Sequence, residues 1–254
     1  MTNVLKNNPL SQFSGGFLYP FRGGKFLSRH PRLWRYVLVP FLINLLVFSL
    51  SVYLGLDFFN QTVVGMIPTG EAWYWVVLYY LAWVLAVLLT MVLVFFSFTV
   101  VGNLIASPFN ELLSERTEEV VMGSAKGEPF SLAGIGRIML DEGKKMAVFI
   151  ILMFLLLLLN LIPGFGTLVY SILSFVLTVF FLVIEYTGYI FGRKGQRFKN
   201  QRQFIRGCRF KAFGFGVGVL CLLAIPLLQF FCIPFAVIGA TLFWCDSQAP
   251  PGGG

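Results

Sequence analysis

Residues 72–106 read AWYWVVLYYLAWVLAVLLTMVLVFFSFTVVGNLIA, 35 consecutive positions without a charged side chain. About 20 apolar residues suffice for a helix to cross the hydrocarbon of a bilayer, and at 1.5 Å per residue this run overshoots by roughly 20 Å. A helix here must tilt, kink or project beyond the membrane. Trp73, Tyr74, Trp75, Tyr79, Tyr80 and Trp83 crowd its first half, as expected of an aromatic belt at the headgroups. The solvent for this part of the chain is lipid.

The rest of the sequence agrees. Of 254 residues, 57% are hydrophobic and 12% charged, against about 25% charged in soluble domains. Further apolar runs occupy 33–56, 147–162, 167–191 and 212–245. The first contains Pro40 and Asn44 and is closed by Asp57, yet is long enough to span. The others are uneven. The arm 147–162 makes a helix of about 24 Å, marginal for a full crossing. Pro226 and Pro234 divide 212–245 into arms at 212–225 and 235–245. Such short segments are re-entrant or interfacial more often than spanning. With turns at Pro163–Gly166 and Pro226–Pro234, the two C-terminal regions read as helical hairpins that enter only part of the bilayer. Broken backbone of this kind is tolerated where protein or water covers it, and it marks solute paths. The expected fold is therefore all-α: two long transmembrane helices, two pairs of short hemi-penetrating hairpins and a cytoplasmic helical pair.

That helical pair is assigned to residues 107–146, the one substantial polar stretch. Glu111, Glu115, Glu118 and Glu119 recur at helical spacing, with Leu112, Leu113 and Val120 as an apolar stripe. A Gly-rich break and a second helix near 131–146 follow. Residues 1–246 then form a single membrane domain, and the Pro/Gly-rich tail 247–254 is expected to be disordered.

Charge sets the orientation. The net charge is +8, and bases gather in 1–35 and in 192–211, where Arg193, Lys194, Arg197, Lys199, Arg202, Arg206, Arg209 and Lys211 stand without an acid. The loop 57–71 holds Asp57 and Glu71 and no base. The positive-inside rule places the N-terminus, 107–146, the basic loop 192–211 and the C-terminus in the cytoplasm. On a soluble protein such charge would suggest nucleic acid; here topology accounts for it, and no nucleic-acid partner is expected. Residues 1–32 show no signal-peptide pattern, so the first membrane helix is expected to act as the targeting signal.

Catalytic chemistry has little support. There is no Gly-rich phosphate loop, nucleophile elbow or paired-carboxylate pattern. His30 is the only histidine, and Cys208, Cys221, Cys232 and Cys245 form no CxxC pair. They read as reduced thiols acting as small hydrophobes. Neither a metal nor a cofactor is expected, nor an enzyme.

Several pieces in order resemble the CysZ family of bacterial sulfate permeases, within the wider etoposide-induced-protein family. They are Gly16-Phe17…Gly23-Gly24-Lys25 leading to Pro40-Phe41-Leu42-Ile43-Asn44, then Ala106-Ser107-Pro108-Phe109-Asn110…Leu113. Ile162-Pro163-Gly164-Phe165-Gly166 follows, and then Ile225-Pro226-Leu227-Leu228…Ile233-Pro234-Phe235-Ala236-Val237…Gly239-Ala240-Thr241. The resemblance covers about Gly16 to Asp246. It implies two long helices with two hemi-penetrating pairs, sulfate uptake across the bacterial inner membrane for cysteine synthesis, and a homo-oligomer. It also implies a Gly–apolar–basic sulfate motif, matched by Gly23, Gly24 and Lys25, with Gly in the middle place and Lys for Arg. Arg35 matches the second base of an Arg pair whose first place is taken by Trp34.

Sulfate is a strongly hydrated dianion, so a site must replace its water with donors. Arg22-Gly23-Gly24-Lys25, with Arg29, Arg32 and Arg35, offers glycine-freed N–H groups at a helix start together with cations. The plainer alternative is an ordinary positive-inside flank, with Arg35 reaching lipid phosphates. Asn103, Asn110, Glu111, Glu115 and Arg116 lie where the longest helix leaves the membrane. A Glu111–Arg116 pair there would gate a pathway, while Glu115 reads as solvated. Glu185 is the only charge within 147–191 and must face protein, water or the interface. The basic loop 192–211 suits anion attraction or anionic lipid equally. The reading is sulfate or similar oxyanion transport. The alternative is a non-transporting membrane scaffold or lipid-shaping protein.

Overall fold

A computed structural model describes residues 8–62, 73–125, 132–162, 164–226 and 228–248. Among the described residues all regular structure is helical: α1 (Pro9–Phe17), α2 (Tyr19–Arg29), α3 (Trp34–Thr62), α4 (Trp73–Met122), α5 (Leu132–Leu157), α6 (Gly166–Arg193), α7 (Phe198–Gly207), α8 (Arg209–Ala224) and α9 (Gln229–Gln248). Four stretches are long and apolar enough to cross a membrane: Pro31–Phe58, Trp73–Leu93, Gly166–Arg193 and Phe231–Gln248. α7 and α8, which meet at 101°, make a fifth if taken as one broken span.

The chain divides into two compact units, residues 35–109 on one side and residues 1–34 with 110–254 on the other. The first unit holds α3 and the first part of α4. Their apolar side chains point outward: only 6% of an 18-residue apolar stretch within each of the spans Pro31–Phe58 and Trp73–Leu93 is buried. Leu46, Leu85 and Met91 are about two-thirds exposed. In water this arrangement would be ruinous, and in lipid it is what the composition demands. α3 does not stop at Asp57. The carboxylate accepts a bond from Gln61 Nε2 one turn on (2.9 Å), and the helix continues to Thr62. Most of the acidic loop expected at 57–71 lies outside the described residues.

The second unit is built on close helix pairs. α1 packs along α8, and α2 along α9. Both seams depend on glycine. A Cβ on Gly16, Gly214 or Gly218 would overlap backbone of the facing helix. Such contacts bring two backbones together as small residues do in membrane helix pairs.

Several sequence boundaries move. Pro234 is no turn: α9 runs through it, and the break after α8 falls between Ala224 and Gln229 instead. Proline removes one intrahelical bond without ending a helix that neighbours hold in place. The same holds for Pro40 in α3 and Pro108 in α4. Between α5 and α6 the chain turns at Gly164, whose φ of +89° suits glycine alone. The polar stretch 107–146 is not a separate pair of helices; its halves are the end of α4 and the start of α5. The basic stretch 192–211, read as a loop, contains α7. Ser247 and Gln248 still belong to α9, where Ser247 Oγ bonds the Phe243 carbonyl (2.7 Å); the last six residues lie outside the description.

Candidate functional site

α2 carries the predicted anion residues, and its two faces differ. Tyr19, Pro20, Gly23 and Leu27 are buried against α9. A Cβ on Gly23 would collide with the Phe235 carbonyl, one on Gly24 would stand 2.8 Å from the Phe235 ring, and one on Gly239 of α9 would lie 2.7 Å from the Tyr19 carbonyl. Gly23 and Gly24 thus sit inside α2, not at a helix start, and their backbone amides belong to the helix. The sequence motif expected them as free donors. In the structure they let two helices touch.

The opposite face is basic. Arg22, Lys25 and Arg29 are exposed, and their three- and four-residue spacing gathers them on one arc of the helix. The Arg22 guanidinium stands over the Tyr19 ring at 5.4 Å, and Lys211 Nζ approaches the same ring at 5.1 Å. The Tyr19 hydroxyl donates to Asp246 Oδ2 (2.8 Å). Burial raises the phenol well above its ordinary value, and the bond to Asp246 pushes the same way, so it stays a neutral donor. Two cations therefore converge on one ring, anchored by an acid at the end of α9. Arg32 is exposed just beyond. Arg35, also exposed, belongs to the other unit and donates to its neighbour, the Tyr36 hydroxyl (2.7 Å).

The predicted pathway residues differ in burial. Asn110 is buried. Glu111 is half-buried and faces α6, its Oε1 being 3.7 Å from where a Gly192 Cβ would stand. Arg116 is exposed and pairs with Glu119 (2.6 Å) one turn along. Glu185 is half-buried in α6 beside Tyr186. The side chain of Asn103 lies outside the described residues.

At this end of α4 the expected polarity is reversed. Leu112 and Val120, assigned to an apolar stripe, are exposed, while Ser114, Thr117 and Glu118 are buried together with Leu113. Partners on α6 and α9 explain this. Arg193 ion-pairs with Glu118 through Nη2 and donates from Nε to Ser114 Oγ (3.2 Å). Lys194 Nζ bonds the other Glu118 oxygen (2.8 Å) and lies 4.1 Å from the centre of the Trp244 ring. The Ser114 and Thr241 hydroxyls meet at 3.0 Å. Arg193 Nη1 is buried without a hydrogen-bond partner among the described residues. A buried pair of this kind is costly to break, because removing one member strands the other. Sequence reading missed the cluster. Glu118 looked like one acid on the polar face of an amphipathic helix, and Arg193 and Lys194 looked like topology charges.

Among the described residues no three His, Cys, Asp or Glu side chains group as metal ligands. The four cysteines are unpaired thiols, Cys232 and Cys245 buried and Cys221 exposed.

Comparison with known proteins fits these features. A family profile described as sulfate transporter CysZ/etoposide-induced protein 2.4 matches residues 19–234. The protein called sulfate transporter CysZ in Pseudomonas paraeruginosa is 37% identical over 234 residues, covering 91% of this chain and 94% of its own length. Its counterpart of the same name in Pseudomonas aeruginosa is 36% identical over the same extent. With a profile match over most of its length and relatives aligned nearly end to end, this multi-pass, all-helical chain belongs to the family of sulfate transporter CysZ and etoposide-induced protein 2.4.

Proposed function

We propose that the protein carries sulfate, or a similar tetrahedral oxyanion, across the bacterial inner membrane into the cytoplasm, where it supplies sulfur for cysteine synthesis. The observation that carries this reading is the exposed arc Arg22–Lys25–Arg29, held outward by a helix whose other face is locked to α9. Cations on a fixed helix replace part of the hydration of a dianion. An exposed site also binds loosely, which suits an ion that must leave again. Arg32 extends the arc, and Arg35, which donates to the Tyr36 hydroxyl, is a separate attractor for anions within residues 35–109. Gly23 and Gly24 serve by setting the position of α2. Asn103, Asn110, Glu111, Arg116 and Glu185 are the pathway side of the proposal, with Arg116, which pairs with Glu119, as a gating base.

Both hairpins retain one short arm, Met146–Leu157 before the first turn and α8 before the second. About 18 Å of apolar helix in the former is less than a bilayer core, which supports partial penetration. The basic segments favour cytoplasmic termini, and the exposed apolar side chains of Pro31–Phe58 and Trp73–Leu93 offer a face for assembly as a homo-oligomer.

The test is sulfate-dependent thermal stabilisation of the detergent-solubilised protein. A ligand that binds only the folded state raises the melting temperature with its concentration. Sulfate should do so where chloride at equal ionic strength does not, and the Arg22→Gln/Lys25→Gln protein should lose the response. Equal shifts with both salts would reject the anion site.

A further inference from the structure

We propose that α7 is a docking face for the anionic headgroups of the surrounding membrane. This goes beyond sulfate transport and rests only on the chain's being a membrane protein. The sequence allowed a lipid role for 192–211 in general; the structure narrows it to three side chains on one helix.

The face is defined by its backing. Gln201 and Ile205, one turn apart, are buried. Gln201 Nε2 bonds the Ile184 carbonyl (2.6 Å) and Thr187 Oγ1 (2.8 Å) on α6. The Phe204 ring lies 5.6 Å from Phe191 and 5.2 Å from Phe243. These contacts fix the rotation of α7, so Lys199, Arg202 and Arg206 point away from the protein, and all three are exposed. Their spacing confines them to one narrow arc. No acid lies within residues 192–211, and among the described residues none of the three makes an ion pair. The Arg202 guanidinium stands over the Phe198 ring, 5.8 Å from its centre.

The bend decides what the arc meets. α8 is apolar from Ala212 to Ala224, and α7 leaves it at 101°. An apolar helix that enters the bilayer along its normal therefore lays α7 nearly parallel to the surface. Phe198 and Phe210, exposed at the two ends, are the aromatic residues that favour the headgroup boundary. A helix along that boundary with three unneutralised cations and no acid complements a layer of lipid phosphates. Bound lipid would also pin the bend to the surface.

The experiment uses the full-length protein in neutral detergent, titrated with headgroup-labelled phosphatidylglycerol and, separately, phosphatidylcholine. Each basic residue near an anionic surface is worth about a five-fold change in binding. The Lys199→Gln/Arg202→Gln/Arg206→Gln protein should therefore bind phosphatidylglycerol about a hundred-fold more weakly. The charge-keeping Lys199→Arg/Arg202→Lys/Arg206→Lys protein should bind like wild type, and added salt should weaken both of these. Undiminished phosphatidylglycerol binding by the glutamine variant would overturn the proposal. So would phosphatidylcholine binding as tight as phosphatidylglycerol. Complete competition by inorganic phosphate at the lipid's own concentration would assign the face to the free ion and overturn it too. Sulfate-dependent stabilisation, read in parallel, separates failure here from failure of the transport reading.

Discussion

Two helices of this protein carry bases at the same spacing, Arg22, Lys25 and Arg29 on α2 and Lys199, Arg202 and Arg206 on α7. From sequence alone they are two basic flanks of membrane helices. They differ in what lies behind them. α2 is fused to α9 by glycines, leaving its backbone no room to move. α7 is held by one buried glutamine and a few rings, across a sharp bend. The charge pattern supplies attraction for anions, and the backing decides which anion can use it. A rigid arc beside an acid-anchored tyrosine suits a small ion with fixed geometry, whereas an arc lying on a bent surface helix suits a sheet of headgroups.

Both arcs rest on the same unit, so the largest effect should come from breaking what supports them together. Glu118→Ala leaves the buried Arg193 and the half-buried Lys194 without their acid. Truncating one partner of a buried pair costs about 3–5 kcal/mol. Thermal unfolding in detergent should show a large drop in melting temperature, with sulfate and phosphatidylglycerol responses lost together. A melting temperature near wild type would mean that the cluster is dispensable.

A narrower break should separate the arcs. Gly23→Ala forces a methyl against the Phe235 carbonyl, and overpacking of this kind costs about 1–3 kcal/mol. Sulfate stabilisation should weaken while phosphatidylglycerol binding by α7 persists. If both persist, the α2–α9 seam does not position the site. Smaller again is Tyr19→Phe, which removes the bond to Asp246 and keeps the ring beneath Arg22 and Lys211. A hydrogen bond to a charged group contributes about 1.5–3 kcal/mol, less where water reaches it, and Asp246 is exposed. A melting shift of a few degrees is expected, with sulfate binding reduced and not abolished. Smallest of all is Leu46→Ala on α3, a side chain about two-thirds exposed. The change should leave melting within about 0.5 kcal/mol of wild type, and a larger loss would show that this face is covered by protein.

The membrane class, the long apolar helices and the places where bases gather were legible in the sequence because they rest on local properties, run length and charge; α7, read as part of a loop, was not. What escaped was long-range. Gly23 and Gly24 read as donors for an anion because a glycine pair before a lysine says nothing about a facing helix more than 200 positions later. Glu118 read as one acid on the polar face of an amphipathic helix because its partners, Arg193 and Lys194, lie about 75 residues on. Pro234 read as a turn because proline usually breaks helices, and only the packing of α9 on α2 explains why it does not here. The charge-free run 72–106 did announce a helix too long for the bilayer, but not that it continues to Met122 with polar residues turned inward.

The central claim is sulfate movement that depends on the α2 arc, and radiolabelled sulfate uptake into proteoliposomes tests it most directly. The wild-type protein should take up sulfate faster than empty liposomes do. The Arg22→Gln/Lys25→Gln protein, matched for melting temperature and reconstitution, should fall several-fold toward the empty control. Uptake no greater than in empty liposomes, or equal uptake by the double variant, would contradict the account.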